Sequence, residues 1–182
     1  MEFQVGEKVV YPTQGIGVVE SIQSRTTAEG RVSGYALRFL SNDSRVFIPR
    51  TSAEGIGLRP VITKKDAARI LAIVADGSIE HRSNWKGRFK ENTDKMRTGS
   101  LFEVAAVLKA LAALRRSQPL SFRERRMFER ARFLIISEIA EVEGRSVAAV
   151  ERRVDEALDQ TLSAEPRPPR QKPVGRPVSS NS

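Results

Sequence analysis

Tyr35-Ala36-Leu37-Arg38-Phe39 places large apolar side chains at every second position, the pattern of a strand with one buried face. Short β-branched runs recur on both sides of it: Val9-Val10-Tyr11, Ile16 to Ile22 and Arg45 to Ile48, with the Tyr35 run continuing to Leu40. Gly, Pro, Asn and Asp punctuate them, as turns require. Five short strands joined by tight turns predict a small curled sheet or barrel over residues 1–60.

From Thr63 onward the apolar period becomes helical. Thr63, with Asp66 three residues on, precedes Ile70, Leu71, Ile73 and Val74. Ser100 with Glu103, and Ser121 with Glu124, have the spacing of capping boxes. A last helix is predicted from Ser146 to about Leu162, with Val147, Val150, Val154 and Leu158 on one face. With the segment Trp85 to Met96, this makes a compact five-helix domain over residues 61–162. The fold class is therefore α+β. Residues 163–182 form a Pro-rich basic tail, expected to be disordered because it offers nothing to bury.

The charge is unevenly spread. The chain carries a net +9, and residues 1–60 contribute almost none of it, with 7 basic and 6 acidic side chains. The window from Arg82 to Arg97 holds 6 basic residues, among them Lys86, Arg88 and Lys90, against Glu91 and Asp94. A second cluster is Arg123, Arg125, Arg126, Arg130 and Arg132. Such clusters are either solvated helix faces or a footprint for a polyanion. The single Trp, Trp85, lies within the first window and points toward nucleic acid. Trp85, Phe89 and Met96 share a helical stripe, so the indole is either core or an apolar wedge at a base step. Both readings stay open.

No catalytic constellation is evident. There is one histidine, His81, and no cysteine, which excludes disulfides and thiolate metal sites. Gly15 and Gly17 lead into a strand, unlike a dinucleotide-binding turn. Glu138, Glu141 and Glu143, late on a predicted helix, read as a solvated face. Without a membrane-length apolar run or a signal-peptide pattern, a cytoplasmic protein with no membrane association is expected.

Lys8-Val9-Val10-Tyr11-Pro12 followed by Gly15-Ile16-Gly17 resembles the opening of the CarD/CdnL family of bacterial RNA polymerase-binding regulators. The likeness continues through Val46-Phe47-Ile48-Pro49, Gly57-Leu58-Arg59, Asn84-Trp85, Thr98-Gly99-Ser100 and Glu103-Val104-Ala105. It ends with Leu120-Ser121-Phe122 and Glu124-Arg125-Arg126-Met127, and so covers about residues 1–160 in order. The resemblance implies a Tudor-like N-terminal domain that meets the RNA polymerase β subunit by strand addition. It also implies a helical domain touching promoter DNA at the upstream edge of the melted bubble. The family's tryptophan at the position of Trp85 wedges into the minor groove. By the same resemblance the protein stabilises the open complex, has no enzymatic activity and needs no cofactor.

The residues themselves support a polymerase-facing edge. Val46 and Ile48 should face the core and turn Phe47 outward, while Pro49 cannot donate to a ladder, which suits an edge strand. The other reading is a Phe47 covered by the neighbouring domain. By the resemblance, Arg25 at the end of the second long strand matches a basic position in the family's polymerase-contacting surface, so the polymerase-binding candidates are Arg25, Arg45, Phe47 and Pro49. DNA-binding candidates are Trp85, Lys86, Arg88, Lys90, Arg125 and Arg126, on a protein expected to be a monomer. Gly87 stands where relatives carry a basic residue, which would soften a phosphate contact or break the helix locally. Val174-Gly175-Arg176-Pro177 in the tail is half of an AT-hook and lacks its first Arg. The competing function is a nonspecific architectural DNA- or RNA-binding protein that acts without polymerase; a pure protein adaptor would touch no DNA.

Overall fold

A computed structural model describes residues 2–12, 14–28, 30–77 and 85–163. The tail from residue 164 and the segment bearing His81 lie outside them. Strands β1 (Lys8–Tyr11), β2 (Gly15–Thr27), β3 (Gly30–Phe39), β4 (Arg45–Pro49) and β5 (Arg59–Pro60) form one antiparallel sheet, in the order β4-β3-β2-β1-β5. A one-turn helix, α1 (Arg50–Ala53), follows β4. Five longer helices come next: α2 (Lys64–Ala75), α3 (Trp85–Arg97), α4 (Leu101–Ser117), α5 (Phe122–Glu143) and α6 (Val147–Ser163). The architecture is the expected α+β one, a small sheet and then five helices.

The alternation at Tyr35 and Leu37 is realised. Both are buried in one cluster with Phe3, Val9, Val19, Ile48, Ala53 and Leu58. The Phe3 ring meets Tyr35 edge-on at 5.6 Å, and the Phe3 N–H donates to the Tyr35 hydroxyl at 3.2 Å. β2 is longer than its apolar run suggests: past Ile22 it continues to Thr27, paired with the start of β3. Backbone pairing holds this arm together, since Gln23, Ser24, Arg25 and Thr26 are all exposed. Between Val19 and Ser21 the register slips by one residue, so Glu20 forms a β-bulge.

In the helical half, α4 packs against α2, α3, α5 and α6, and the core holds Ile70, Leu108, Leu111, Ile135 and Ile139. The helix starts follow the predicted chemistry at two of three sites. Thr63 Oγ1 accepts from the Asp66 N–H at 3.1 Å, and Ser121 with Glu124 makes a complete capping box. Ser100 does not: its side chain makes no cap bond, so the predicted box with Glu103 is absent. The turn before α4 is held from outside instead, because the Gly99 carbonyl accepts from Arg59 Nε at 2.7 Å. Val147, predicted on the buried stripe of α6, is 59% exposed, while Val150, Val154 and Leu158 are buried. A buried Lys109 caps the end of α2, donating to the Ile73 carbonyl at 3.0 Å and to Asp76 at 2.5 Å.

The largest correction concerns the three glutamates of α5. Glu138 is 2% exposed and receives both ends of the Arg59 guanidinium, at 2.6 and 2.9 Å, with the Ile62 N–H at 2.9 Å. Glu141 pairs with Lys8 of β1, and Glu143 with Arg145 and Arg153. They are ion-pair partners, two of them across the sheet–helix junction, because α5 packs against β2 and the Lys8 and Arg59 side chains reach it from β1 and β5. The same junction presses Pro12 onto Gly99, which has φ +75°; a Cβ there would stand 2.9 Å from the proline ring. Any side chain at Gly99 would wedge the two halves apart.

Candidate functional site

The bulge at Glu20 decides what the outer face of the sheet displays. Val19 pairs with buried Leu37, but Ser21 pairs with Ala36, one residue out of phase. Side chains after the bulge therefore swap faces, and Arg25 emerges opposite the Val19 core. Phe47 pairs with Ala36 from the other side and shares that outer face. The Arg25 guanidinium sits over the Phe47 ring, 4.3 Å from its centroid, a cation–π geometry. Gly34 makes the seat: a Cβ there would come within 2.5 Å of the Phe47 ring and 2.4 Å of the Ile48 carbonyl. Phe47 is thus turned outward as expected, with Arg25 over its ring.

Beside this pair lies a charge network. Glu20 accepts from Arg45 Nε at 2.8 Å and from Arg38 Nε at 2.9 Å, and Arg38 also reaches Asp43 at 2.8 Å. The Arg45 hydrogen bond, foremost, holds the Glu20 carboxyl below its ordinary value, and Glu20 in turn raises Arg45. β4 is the edge strand, with Pro49 at its end leading into α1. The structure gathers Arg25, Arg45, Phe47 and Pro49 on and beside one sheet edge.

The DNA candidates divide between two helices, with α4 packed against both. Trp85 and Lys86 open α3; their side chains lie outside the described residues. Arg88 is half-buried and Lys90 exposed, while Met96 on the same helix is core. The helix runs unbroken through Gly87, whose missing Cβ would point into open space. Gly87 therefore does not break the helix. Arg125 and Arg126 are exposed in the first turns of α5, and Arg126 stands 5.8 Å from the ring of Phe122, which is 72% exposed. Arg132, in the same sequence cluster, is committed elsewhere: it bridges Glu151 at 2.6 Å and Asp155 at 2.7 Å on α6.

Residues 3–62, the segment holding the whole sheet, match the CarD-like/TRCF RID domain family, and residues 69–155 match the CarD C-terminal domain family. The chain is also 31% identical over 142 residues to "Putative transcription factor YdeB" of Bacillus subtilis (strain 168), an alignment spanning 78% of this chain and 93% of that protein. The chain belongs to the CarD/CdnL family of transcription regulators.

In this CarD/CdnL protein the first family match covers every strand, and the second begins within α2 and ends within α6. Two residues of the sheet surface escaped sequence reasoning. Glu20 left no alternation signal, because a bulge is visible only in the pairing. Gly34 did leave one: an isolated glycine inside a strand marks a close approach.

Proposed function

We propose that this CarD/CdnL-family protein is a non-enzymatic, cofactor-independent transcription regulator that acts in the cytoplasm as a monomer. It binds the RNA polymerase β subunit and promoter DNA at the upstream edge of the bubble, and stabilises the open complex. Residues 1–60 are the Tudor-like polymerase-interacting domain, 61–162 the DNA-contacting domain, and 163–182 a basic tail. The observation that carries the reading is Phe47 on edge strand β4, seated on Gly34 and topped by Arg25. A free edge with a pre-positioned aromatic suits strand addition, and Arg45 and Pro49 flank it. Trp85, Lys86, Arg88, Lys90, Arg125 and Arg126 are assigned to DNA: the cations to phosphates, the indole to a minor-groove step.

The mechanism is differential binding. Contacts made to melted but not closed promoter DNA shift the closed-to-open equilibrium. Holding polymerase and DNA together makes each contact effectively intramolecular, so individually weak grips suffice. A pulldown of the full chain with a polymerase β-lobe fragment tests the reading. Retention is expected; a chain that binds duplex DNA but not the lobe is an architectural DNA-binding protein instead.

A further inference from the structure

α5 is clamped at one end and carries candidate contacts at the other. Its C-terminal half lies against the sheet: Phe133 and Leu134 pack on Gly15, Glu138 grips Arg59 of β5, and Glu141 grips Lys8 of β1. Glu138 and Glu141 are one turn apart on the same face. Its first turns carry Arg125 and Arg126, about 20 Å along the axis from Glu138 at 1.5 Å per residue.

The Arg59–Glu138 pair is a poor device for stability alone, since burying two charges forfeits hydration that an apolar pair would never need. What it supplies is direction. Two parallel N–H···O bonds fix the angle between guanidinium and carboxylate. The remaining groups are held too: the Ile62 N–H on Glu138, and the Gly99 carbonyl on Arg59. Each of these bonds ties β5 or the chain just after it to the helical half.

We propose that the Arg59–Glu138 pair, backed by Lys8–Glu141, is a positioning device that locks α5 as a strut at one angle to the sheet. The polymerase edge and the DNA surface are then presented at a single separation, and simultaneous engagement needs no further ordering. This rests on the proposed function, and adds to it that the junction, touching neither partner, sets the strength of the joint grip.

The test uses the full chain carrying Arg59→Met with Glu138→Leu, since apolar replacement of a buried ion pair generally preserves folding. Thermal melts establish that the variant is folded. Because the chain has no cysteine, Ser24→Cys and Ser117→Cys, both at exposed positions, take a dye pair that reports the sheet-to-helix distance. The double variant should bind polymerase holoenzyme without DNA, and duplex DNA without polymerase, as the parent does. Its inter-dye distance distribution should broaden, and the lifetime it confers on the open complex should fall about tenfold as effective concentration is lost. A distribution as narrow as the parent's overturns the proposal, and so does a broadened one with the lifetime kept. If the parent itself does not lengthen open-complex lifetime, the functional reading fails and the positioning role goes with it. That result is distinguishable because it needs no variant.

Discussion

The guanidinium carbon of Arg25 stands 4.3 Å from the centroid of the Phe47 ring, and the edge of that ring fills the space that a Cβ on Gly34 would take. The two residues lie far apart in sequence and on strands that do not pair with each other; β3 separates them. The aromatic is held in place by the chain itself, which under the proposed function lowers the ordering cost of binding.

Phe47→Ala should weaken binding to the polymerase β lobe about tenfold, the loss expected for a large apolar side chain worth roughly 1.5–3 kcal/mol when buried. Arg25→Glu should act in the same direction by inverting the charge above the ring. Neither side chain belongs to the sheet core, so melting temperatures should stay at the parent value. Lobe affinities measured beside thermal melts check both; parental affinity in two folded variants would remove this surface from the mechanism.

Gly34→Ala tests the seat under the ring. The new methyl would meet the Ile48 carbonyl at 2.4 Å and the Phe47 ring at 2.5 Å, so β4 must move away from β3. Overpacking of this kind costs about 1–3 kcal/mol. A lowered melting temperature together with weakened lobe binding is expected, in contrast to the purely functional loss in Phe47→Ala.

Glu20→Gln probes the charge network. Arg45 and then Arg38 hold the Glu20 carboxyl below its ordinary value of 4.5 in the folded chain. A depressed folded-state pKa gives stability that is complete above the unfolded value and is lost as pH falls through the folded one. The parent should therefore be slightly more stable than Glu20→Gln near neutral pH, and the gap should close as the pH drops below about 4.5. The effect is small because the network is solvent-exposed. Melts of both proteins across the acid range measure it, and a gap that persists at the acid end would assign the loss to packing.

Trp85→Ala should shorten the open-complex lifetime at a promoter whose open state is unstable, with base–aromatic contacts worth on the order of 1–3 kcal/mol. Trp85→Phe should fall between it and the parent. Polymerase binding should be untouched, since the proposed polymerase contacts lie on the sheet. Thermal stability decides the role: a loss of roughly 3–5 kcal/mol would make the ring part of the helical core, whereas an unchanged melt with a shortened lifetime makes it a wedge.

The legible parts of the molecule are those written in local periodicity and caps. Tyr35 and Leu37 announce a half-buried strand, and Thr63-to-Asp66 and Ser121-to-Glu124 mark helix starts, because each signal is settled within a few residues. Pro49 marks β4 as an edge for the same reason. What could not be read depends on partners distant in sequence. Glu138 looks like a surface carboxylate until Arg59 is brought to it from 79 positions away. Ser100 has the spacing of a cap, yet Arg59 holds the neighbouring carbonyl. Arg125 and Arg132 are indistinguishable in sequence; only the packing of α6 against α5 neutralises the second. Arg25 joins the proposed polymerase surface by family likeness, and the bulge that turns it toward Phe47 has no sequence signature.

Among the described residues, the five-residue strand β4 pairs on one side only, with β3. Unpaired strand edges are in general open to a second copy as well as to a foreign strand. Two β4 strands aligned antiparallel about Phe47 would set Arg45 opposite Pro49 at both ends. Each end then lacks an N–H donor, and the two Phe47 rings crowd at the centre. Self-pairing in that register is therefore disfavoured. Under the proposed function, the edge then favours a foreign strand that accommodates an aromatic ring under an arginine over a second copy of β4.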